Sequence, residues 1–491
     1  MTLELKKKIF ITTTGLLIFT GIFLSVESIR NTPLEYDGAY NLQIAVNLIK
    51  HGSYATNGAL YAVENLKVFD PLISTGPSTL MPITLFFKLF GIGVVQFRLV
   101  MVAFYLATIA ALCVLCFRKT QSPWSFLPGL LFMVMLPGFD PRVAAVGEIP
   151  ATLFLILSIY SLEKHRYPLS GLLAAFAMLS KIITGFVLPV IVFYLATECF
   201  GSWKPKLTEV RKFLSRGAIW LIFFLIPIIS FEIYHYFSFG NRHGFKASWI
   251  EMIKFFKTSG SGIQAQDNGL TIWKKLGAFL IAMHPEHLMI AVLLLGLIVA
   301  CVANHKKLGK VLWQQRAWVA FVAIYIGWWI LKADRLYFRH IVPAFVVFLF
   351  VASVIIIKSL GKINALYART VVMVSLTFVA TIGLFQEARL TVLQPGVSLH
   401  DQQVVANKIN SLSDKKVYHI GWWQNPEIVF LSGKPSRDIV TNPQTTPYYL
   451  LLSPANLVTD KLTFSKGEEH CTKTLLSLKD YLLCEADGVV K

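Results

Sequence analysis

Charged residues are scarce in this sequence. Asp, Glu, Lys and Arg make up 15% of its 491 positions, against about 25% in an average soluble domain. So little polar surface cannot cover a water-soluble protein of this length. The shortage excludes an ordinary soluble enzyme, and a disordered chain with it. Acids are scarcer than bases, 27 against 46, which leaves a net charge of +19. Nucleotide motifs are missing too: there is no P-loop, no dinucleotide fingerprint and no G-x-S-x-G elbow. What is abundant is apolar, at 55% hydrophobic residues and a mean hydropathy of +0.60. That composition belongs to a polytopic membrane protein.

A net charge of +19 on a soluble protein would suggest a nucleic-acid partner. Its placement here speaks against one. Segments 1–8, 118–123, 163–168, 198–216, 304–316 and 358–369 hold 19 Lys and Arg but only four acids, a net of +15, and the rest of the chain nets +4. This is the positive-inside asymmetry of a membrane protein, with those segments in the cytoplasm. Apolar runs between them predict spans near 9–27, 95–117, 124–138, 148–162, 169–181, 183–197, 217–237, 286–303, 317–331, 341–357 and 370–388. The first follows Lys6, Lys7 and Lys8 like a signal peptide, but its apolar run is long and no small-residue cleavage site follows. About eleven spans from an inner N-terminus put the C-terminus outside.

Three outward segments are long: 28–94, 238–285 with amphipathic stretches near 247–257 and 270–282, and the tail from about 389. The tail has eleven Lys and Arg, ten Asp and Glu, and no span-length apolar run. Short apolar runs at 417–423, 448–452 and 481–483 alternate with likeness to a helix at 402–412. The expected organisation is an all-α polytopic domain over 1–388 and a small α/β extracytoplasmic domain over 389–491. Cys471 and Cys484 both fall in the tail, where an oxidising compartment suits a disulfide. The C-x-x-C of Cys113 and Cys116 lies inside a span and reads as small apolar filler.

The first outward segment carries the most information. Residues 39–50 place Leu42, Ala45, Val46 and Ile49 on one helical face, which predicts a short helix in the membrane interface. Asp37 precedes it, a position where Asp caps a helix well and where a carboxylate can also do chemistry at the outer interface. Further along, Lys332, Arg335 and Arg339 share a helical face in the outward turn before the 341–357 span. Outer-side cations run against the orientation signal, so such a cluster points to an anion. Asp140 and Glu148 mark another outward turn, and Lys181 interrupts an apolar run at an outward hairpin. Glu232 and His235 near an outer span end are weaker candidates. His284-Pro-Glu286-His287 has no zinc-site spacing and reads as a loop.

These residues fall in a recognisable order. Asp37, Tyr40 three residues on, a helix ending in Gly52-Ser53-Tyr54, a stretch rich in Pro, and "LFGIGVVQFRL" with Arg98 entering the second span resemble the GT-C class of polyprenyl-phosphate-sugar-dependent glycosyltransferases. The likeness is to the superfamily of protein mannosyltransferases and lipid A aminoarabinose transferases, glycosyltransferase families 39 and 83. "GEIPATLFLILSIYSLEK", "LSGLLAAFAMLSKIITG" and "RLYFRHIVPAF" extend it to about residue 345. Two departures stand out. Gly38 follows Asp37 where family members often carry Asp-Glu, and 73–78 lacks the Lys that often precedes paired prolines in the aminoarabinose transferases.

The resemblance implies an inner-membrane transferase of a bacterial envelope. It would move a sugar from a polyprenyl phosphate to an acceptor hydroxyl on the periplasmic side, with inversion. The acceptor would be a glycolipid such as lipopolysaccharide, a glycan or a protein. Asp37 is then the general base, with Glu148 a second site carboxylate. Lys332, Arg335, Arg339 and Lys181, with Tyr40, Arg98 and Asp140, are the expected lipid-phosphate and sugar contacts. A divalent metal is left open. Independently, attack by a sugar hydroxyl needs a base and a leaving phosphate needs cations. The absence of Asp-x-Asp, common in soluble nucleotide-sugar transferases, agrees with a lipid-linked donor. The rival classes are a secondary transporter, a polysaccharide polymerase or ligase, and a non-catalytic scaffold. A transporter would place polar groups at mid-membrane in two matching halves; here they lie near outer span ends.

Overall fold

The computed structural model describes residues 2–57, 66–71, 73, 75–134, 144–200, 205–259, 305–332, 338–360, 398–412, 416–419, 426–434, 436–438, 447–452, 468–478 and 481–487, with isolated helical positions at 273, 277, 293, 296–298, 373, 377 and 381. The chain opens with α1 (Leu3–Asn31). A short turn leads into α2 (Tyr36–His51), a hairpin of β1 (Ala55–Thr56) and β2 (Lys67–Val68), then α3 (Pro77–Phe90) and α4 (Val94–Thr120). The bundle continues through α5 (Leu127–Val134), α6 (Glu148–Glu163), α7 (Tyr167–Ser180), α8 (Val187–Cys199), α9 (Leu207–Ser238), α10 (Arg242–Ser259), α11 (His305–Gln314), α12 (Arg316–Lys332) and α13 (Val342–Leu360). Among the described residues, five helical stretches have the length and apolarity to cross a membrane: Leu3–Asn31, Val94–Thr120, Ile182–Cys199, Leu207–Ser238 and Arg339–Ser359. Of the spans expected at 286–303 and 370–388 only isolated helical positions are described, and Asp140 and Arg335 lie outside the described residues.

The two extremes of that set show how the bundle is layered. The apolar window of Arg339–Ser359 is 94% buried inside the protein, whereas that of Leu207–Ser238 is 11% buried. A helix apolar all round and covered by protein is a central element. One equally apolar but uncovered presents its surface to lipid. Trp318, Phe321 and Tyr325 of α12 pack with Phe350 of α13 in the main core.

A second core gathers the outward elements: Leu42 and Ile44 of α2, Leu80 and Phe87 of α3, Phe97 and Met101 of α4, and Leu399 from the tail. Protein covers the helix expected over 39–50 on more than its apolar face. Residues 38–45 of α2 are all buried within protein, the polar Asn41 and Gln43 included. Their amides are spent on protein partners: Asn41 Nδ2 donates to Ala145 O at 2.9 Å, and Gln43 Oε1 accepts from Asn57 N at 3.0 Å. A single apolar face, read alone, gives no sign that polar groups on the other face are buried too.

The tail forms α14 (Leu399–Asn410), β3 (Val417–His419), α15 (Pro426–Ser432), β4 (Ser436–Asp438), β5 (Tyr448–Leu452), β6 (Cys471–Ser477) and β7 (Leu482–Ala486). The sheet order is β4-β3-β5-β7-β6, with β3 parallel to both neighbours and the β5-β7-β6 edge antiparallel. Apolar side chains alternate across it: Tyr418, Leu450 and Cys484 face one side, while Val417, Leu451 and Leu483 meet Val405 of α14 and Ile428 of α15 on the other. Cys471 and Cys484 are joined in a disulfide across the β6–β7 pair, with Cα atoms 5.6 Å apart.

Candidate active site

Four separate stretches bring charge to one end of the bundle: the first turn of α2, the first residue of α6, the residue after α7, and the 3-10 turn Phe338–Ile341 that leads into α13. Their approach depends on small residues. Gly76 N donates to Ser180 O at 3.0 Å, and a Cβ on Gly76 would fall 2.0 Å from Leu179 O. A Cβ on Gly147 would fall 2.1 Å from Ser180 O. Any side chain at either position would push these backbones apart. Asn41 ties the same crossing together, its Nδ2 donating to Thr75 Oγ1 at 3.0 Å and to Ala145 O at 2.9 Å, while Thr75 Oγ1 accepts from Gly147 N at 3.1 Å.

Within that frame Lys181 Nζ lies 2.8 Å from Glu148 Oε1, and both side chains are almost wholly buried. Arg339 Nε is 3.9 Å from the same oxygen, and its Nη1 is ion-paired with Asp37 Oδ2. Along the row Lys181–Glu148–Arg339–Asp37 the side chains are 4%, 0%, 19% and 42% exposed. The cluster is therefore a chain of alternating charge that begins in the protein interior and ends on an accessible carboxylate. The buried Glu148 and Lys181 stabilise one another where a lone buried charge would be prohibitive. His340, next in sequence to Arg339 and largely buried, has its carbonyl oxygen accepting from the Tyr325 hydroxyl.

The structure thus brings together Asp37, Glu148, Lys181 and Arg339 from the sequence candidates. Lys332 closes α12, with its side chain outside the described residues. The other candidates are placed elsewhere. Asp37 is no N-cap: the helix starts at Tyr36, Glu35 is the capping residue, and Asp37 sits in the first turn with its carboxylate turned to Arg339. Negative charge in a first turn still suits the helix dipole. Tyr40 points away from Asp37 and donates to Asp70 Oδ2 at 2.5 Å, an oxygen that also accepts from Thr56 Oγ1 at 3.0 Å. Burial and the Asp70 charge raise the Tyr40 phenol above its ordinary pKa, so it stays a donor.

Arg98 is also corrected. Its guanidinium is fully buried and donates to backbone carbonyls at the end of α1: Nη1 to Ser28 O at 3.4 Å and Ile29 O at 2.8 Å, Nη2 to Thr32 O at 2.6 Å and Pro33 O at 3.2 Å. It holds a chain crossing and does not face the charged row. Asp70, Asn41 and Thr75 went unrecognised in the sequence. The one available signal was polar residues of α2 on a face opposite its apolar stripe.

An apolar groove of about 540 Å³ opens among α3, α6, α7 and α9. Pro77 and Met81 of α3, Phe154 of α6, Leu179 of α7, and Pro227 and Phe231 of α9 line it. Leu179 stands two residues before Lys181 in the sequence. Among the described residues no three His, Cys, Asp or Glu side chains gather as a metal site.

No protein-family model and no curated protein matches the chain. Solved structures do. ArnT from Cupriavidus metallidurans in the apo state aligns over 96% of this chain and 97% of its own, at 12% identity and a TM-score of 0.59. The same protein bound to undecaprenyl phosphate aligns over 97% of both chains, at 14% identity and a TM-score of 0.53. The archaeal oligosaccharyltransferase AglB from Archaeoglobus fulgidus, in complex with an inhibitory peptide and a dolichol-phosphate, aligns over 97% of this chain and 74% of its own, at 10% identity and a TM-score of 0.51. The chain therefore has the GT-C fold of multi-pass membrane proteins.

Proposed function

We propose that this protein is a membrane glycosyltransferase that moves a sugar from a polyprenyl-phosphate donor to an acceptor hydroxyl at the periplasmic face of a bacterial inner membrane. The observation that carries this reading is the accessible Asp37 carboxylate paired to Arg339 at the open end of a buried row of charges. The fold is shared with proteins solved holding undecaprenyl phosphate and dolichol-phosphate, and the apolar groove beside Leu179 suits a prenyl chain.

In this mechanism the donor phosphate takes the Arg339 guanidinium, for which it competes with Asp37, and Lys181 adds positive charge behind it. Lys332 and Arg335, which precede Arg339 by seven and four positions in the sequence, are the further cations proposed for the clamp. Asp37, released from Arg339, accepts the proton of the acceptor hydroxyl as its oxygen forms a bond to the sugar's anomeric carbon. The bond from that carbon to the phosphate oxygen breaks on the opposite face, so the configuration inverts. The electron pair leaves with the polyprenyl phosphate, stabilised by the fixed cations. Glu148 holds Lys181 and Arg339 in place.

Binding of a polyprenyl phosphate to the purified protein in lipid nanodiscs tests the reading. Parent protein should bind it saturably, above any binding of an anionic phospholipid. Arg339→Lys should raise the dissociation constant roughly tenfold, because ammonium lacks the planar fork that grips phosphate oxygens. No preference for polyprenyl phosphate over the phospholipid overturns it.

A further inference from the structure

Two residues separate Asp37 from Leu34, and the segment between α1 and α2 has little structure of its own. Glu35 makes no side-chain capping bond at the start of α2. The segment is instead gripped from two sides. Arg98 binds the carbonyls of Ile29, Thr32 and Pro33 from α4. From the tail, Gln402 reaches across 368 positions of sequence: its Oε1 accepts from Leu34 N at 2.7 Å, and its Nε2 donates to Leu34 O at 3.0 Å.

Both bonds fall on a single residue, so they fix the rotation of the Leu34 peptides as a strand neighbour would. Gln402 is 2% exposed and sits on the first turns of α14, whose start is locked by the Ser398–Asp401 capping box. A buried amide at such a position is costly unless its hydrogen bonds are made, and here they are made to the loop that carries Asp37. The docking around it is apolar: Leu34 and Leu399 share the second core, and Phe430 of α15 packs against Phe87 and Phe97.

We infer that Gln402 is a positioning residue for the reaction: the C-terminal domain sets the aim of Asp37 by clamping Leu34. The inference rests on the reading of Asp37 as the base. It gives the tail a role in turnover without placing any tail residue against substrate.

Gln402→Leu keeps the side chain's bulk and removes both bonds to Leu34, together with the 3.5 Å bond that Gln402 Nε2 donates to the Tyr481 hydroxyl. Gln402→Glu keeps the acceptor and loses the donor. In lipid, Gln402→Leu should lower kcat roughly tenfold or more, as small misplacements of a catalytic group do, with the donor KM within twofold of the parent. Gln402→Glu should fall between. Hydrogen exchange of residues 33–38 should quicken in both variants, while β6 and β7 keep parental protection. In the Asp37→Asn background, Gln402→Leu should cost no further rate, since no base remains to misplace. A folded Gln402→Leu enzyme with parental kcat overturns the inference, and so does a full additional loss on top of Asp37→Asn. If Gln402→Leu fails to fold, Gln402→Glu carries the same test. The single Asp37→Asn variant separates the two failures: at parental rate it overturns the base reading and takes the positioning role with it, whereas parental kcat in the Gln402 variants leaves the base reading standing.

Discussion

The two ends of α6 carry the same kind of ion pair with different outcomes. Glu148 opens the helix and meets Lys181 at 2.8 Å; Glu163 closes it, about 22 Å away at 1.5 Å per residue, and meets Lys119 at 2.6 Å. At the Glu163 end the pair is closed off by protein. Trp318 Nε1 donates to Glu163 Oε1 at 2.8 Å, and Lys119 Nζ lies 5.4 Å from the centre of the same indole ring. At the Glu148 end the charges continue outward through Arg339 to an Asp37 side chain that is 42% exposed. An ion pair whose remaining capacity is used by the protein is architecture. One that hands its charge on to an accessible carboxylate has something left for a ligand.

Breaking each pair sharpens the contrast. Lys181→Met leaves the Glu148 carboxylate fully buried, with Arg339 as its cation at 3.9 Å. Losing one partner of a buried pair costs roughly 3–5 kcal/mol, so the thermal midpoint in lipid should fall sharply and transfer should be lost. Adding Glu148→Gln to it removes the stranded charge. That double variant should regain much of the stability and none of the activity. Lys119→Met at the other end should be milder, about 1 kcal/mol, because its pair is 12–13% exposed and Glu163 keeps its Trp318 bond. Its transfer rate per folded enzyme should match the parent's. Equal losses of activity from Lys119→Met and Lys181→Met would erase the distinction between the ends.

Much of this architecture was legible in the sequence because it rests on local pattern. Apolar runs marked α4 and α13 to within three residues of their ends and the apolar stretches of α1 and α9, whose polar starts lie six and ten residues earlier, and short apolar runs marked β3 and β5 in the tail. Lys181, Glu148 and Arg339 stood out because charge in apolar surroundings needs a reason. Their mutual pairing was not legible, since Asp37 and Arg339 lie 302 positions apart and nothing local joins them. The same blindness misread Arg98. A cation entering a span looks alike whether its partners are phosphate oxygens or the carbonyls of Ile29, Thr32 and Pro33. Gln402 went unseen for a related reason: a glutamine in an amphipathic tail helix carries no sign that its amide closes on a backbone 368 residues earlier.

The central claim is that the exposed end of the charged row is a base. Asp37→Asn keeps the side chain's size and removes its negative charge and basicity, so the enzyme should fold, insert and still bind polyprenyl phosphate. Its rate of sugar transfer, measured with purified enzyme in lipid under saturating donor, should fall about 10²–10⁴-fold. Transfer by Asp37→Asn at the parental rate would contradict the account.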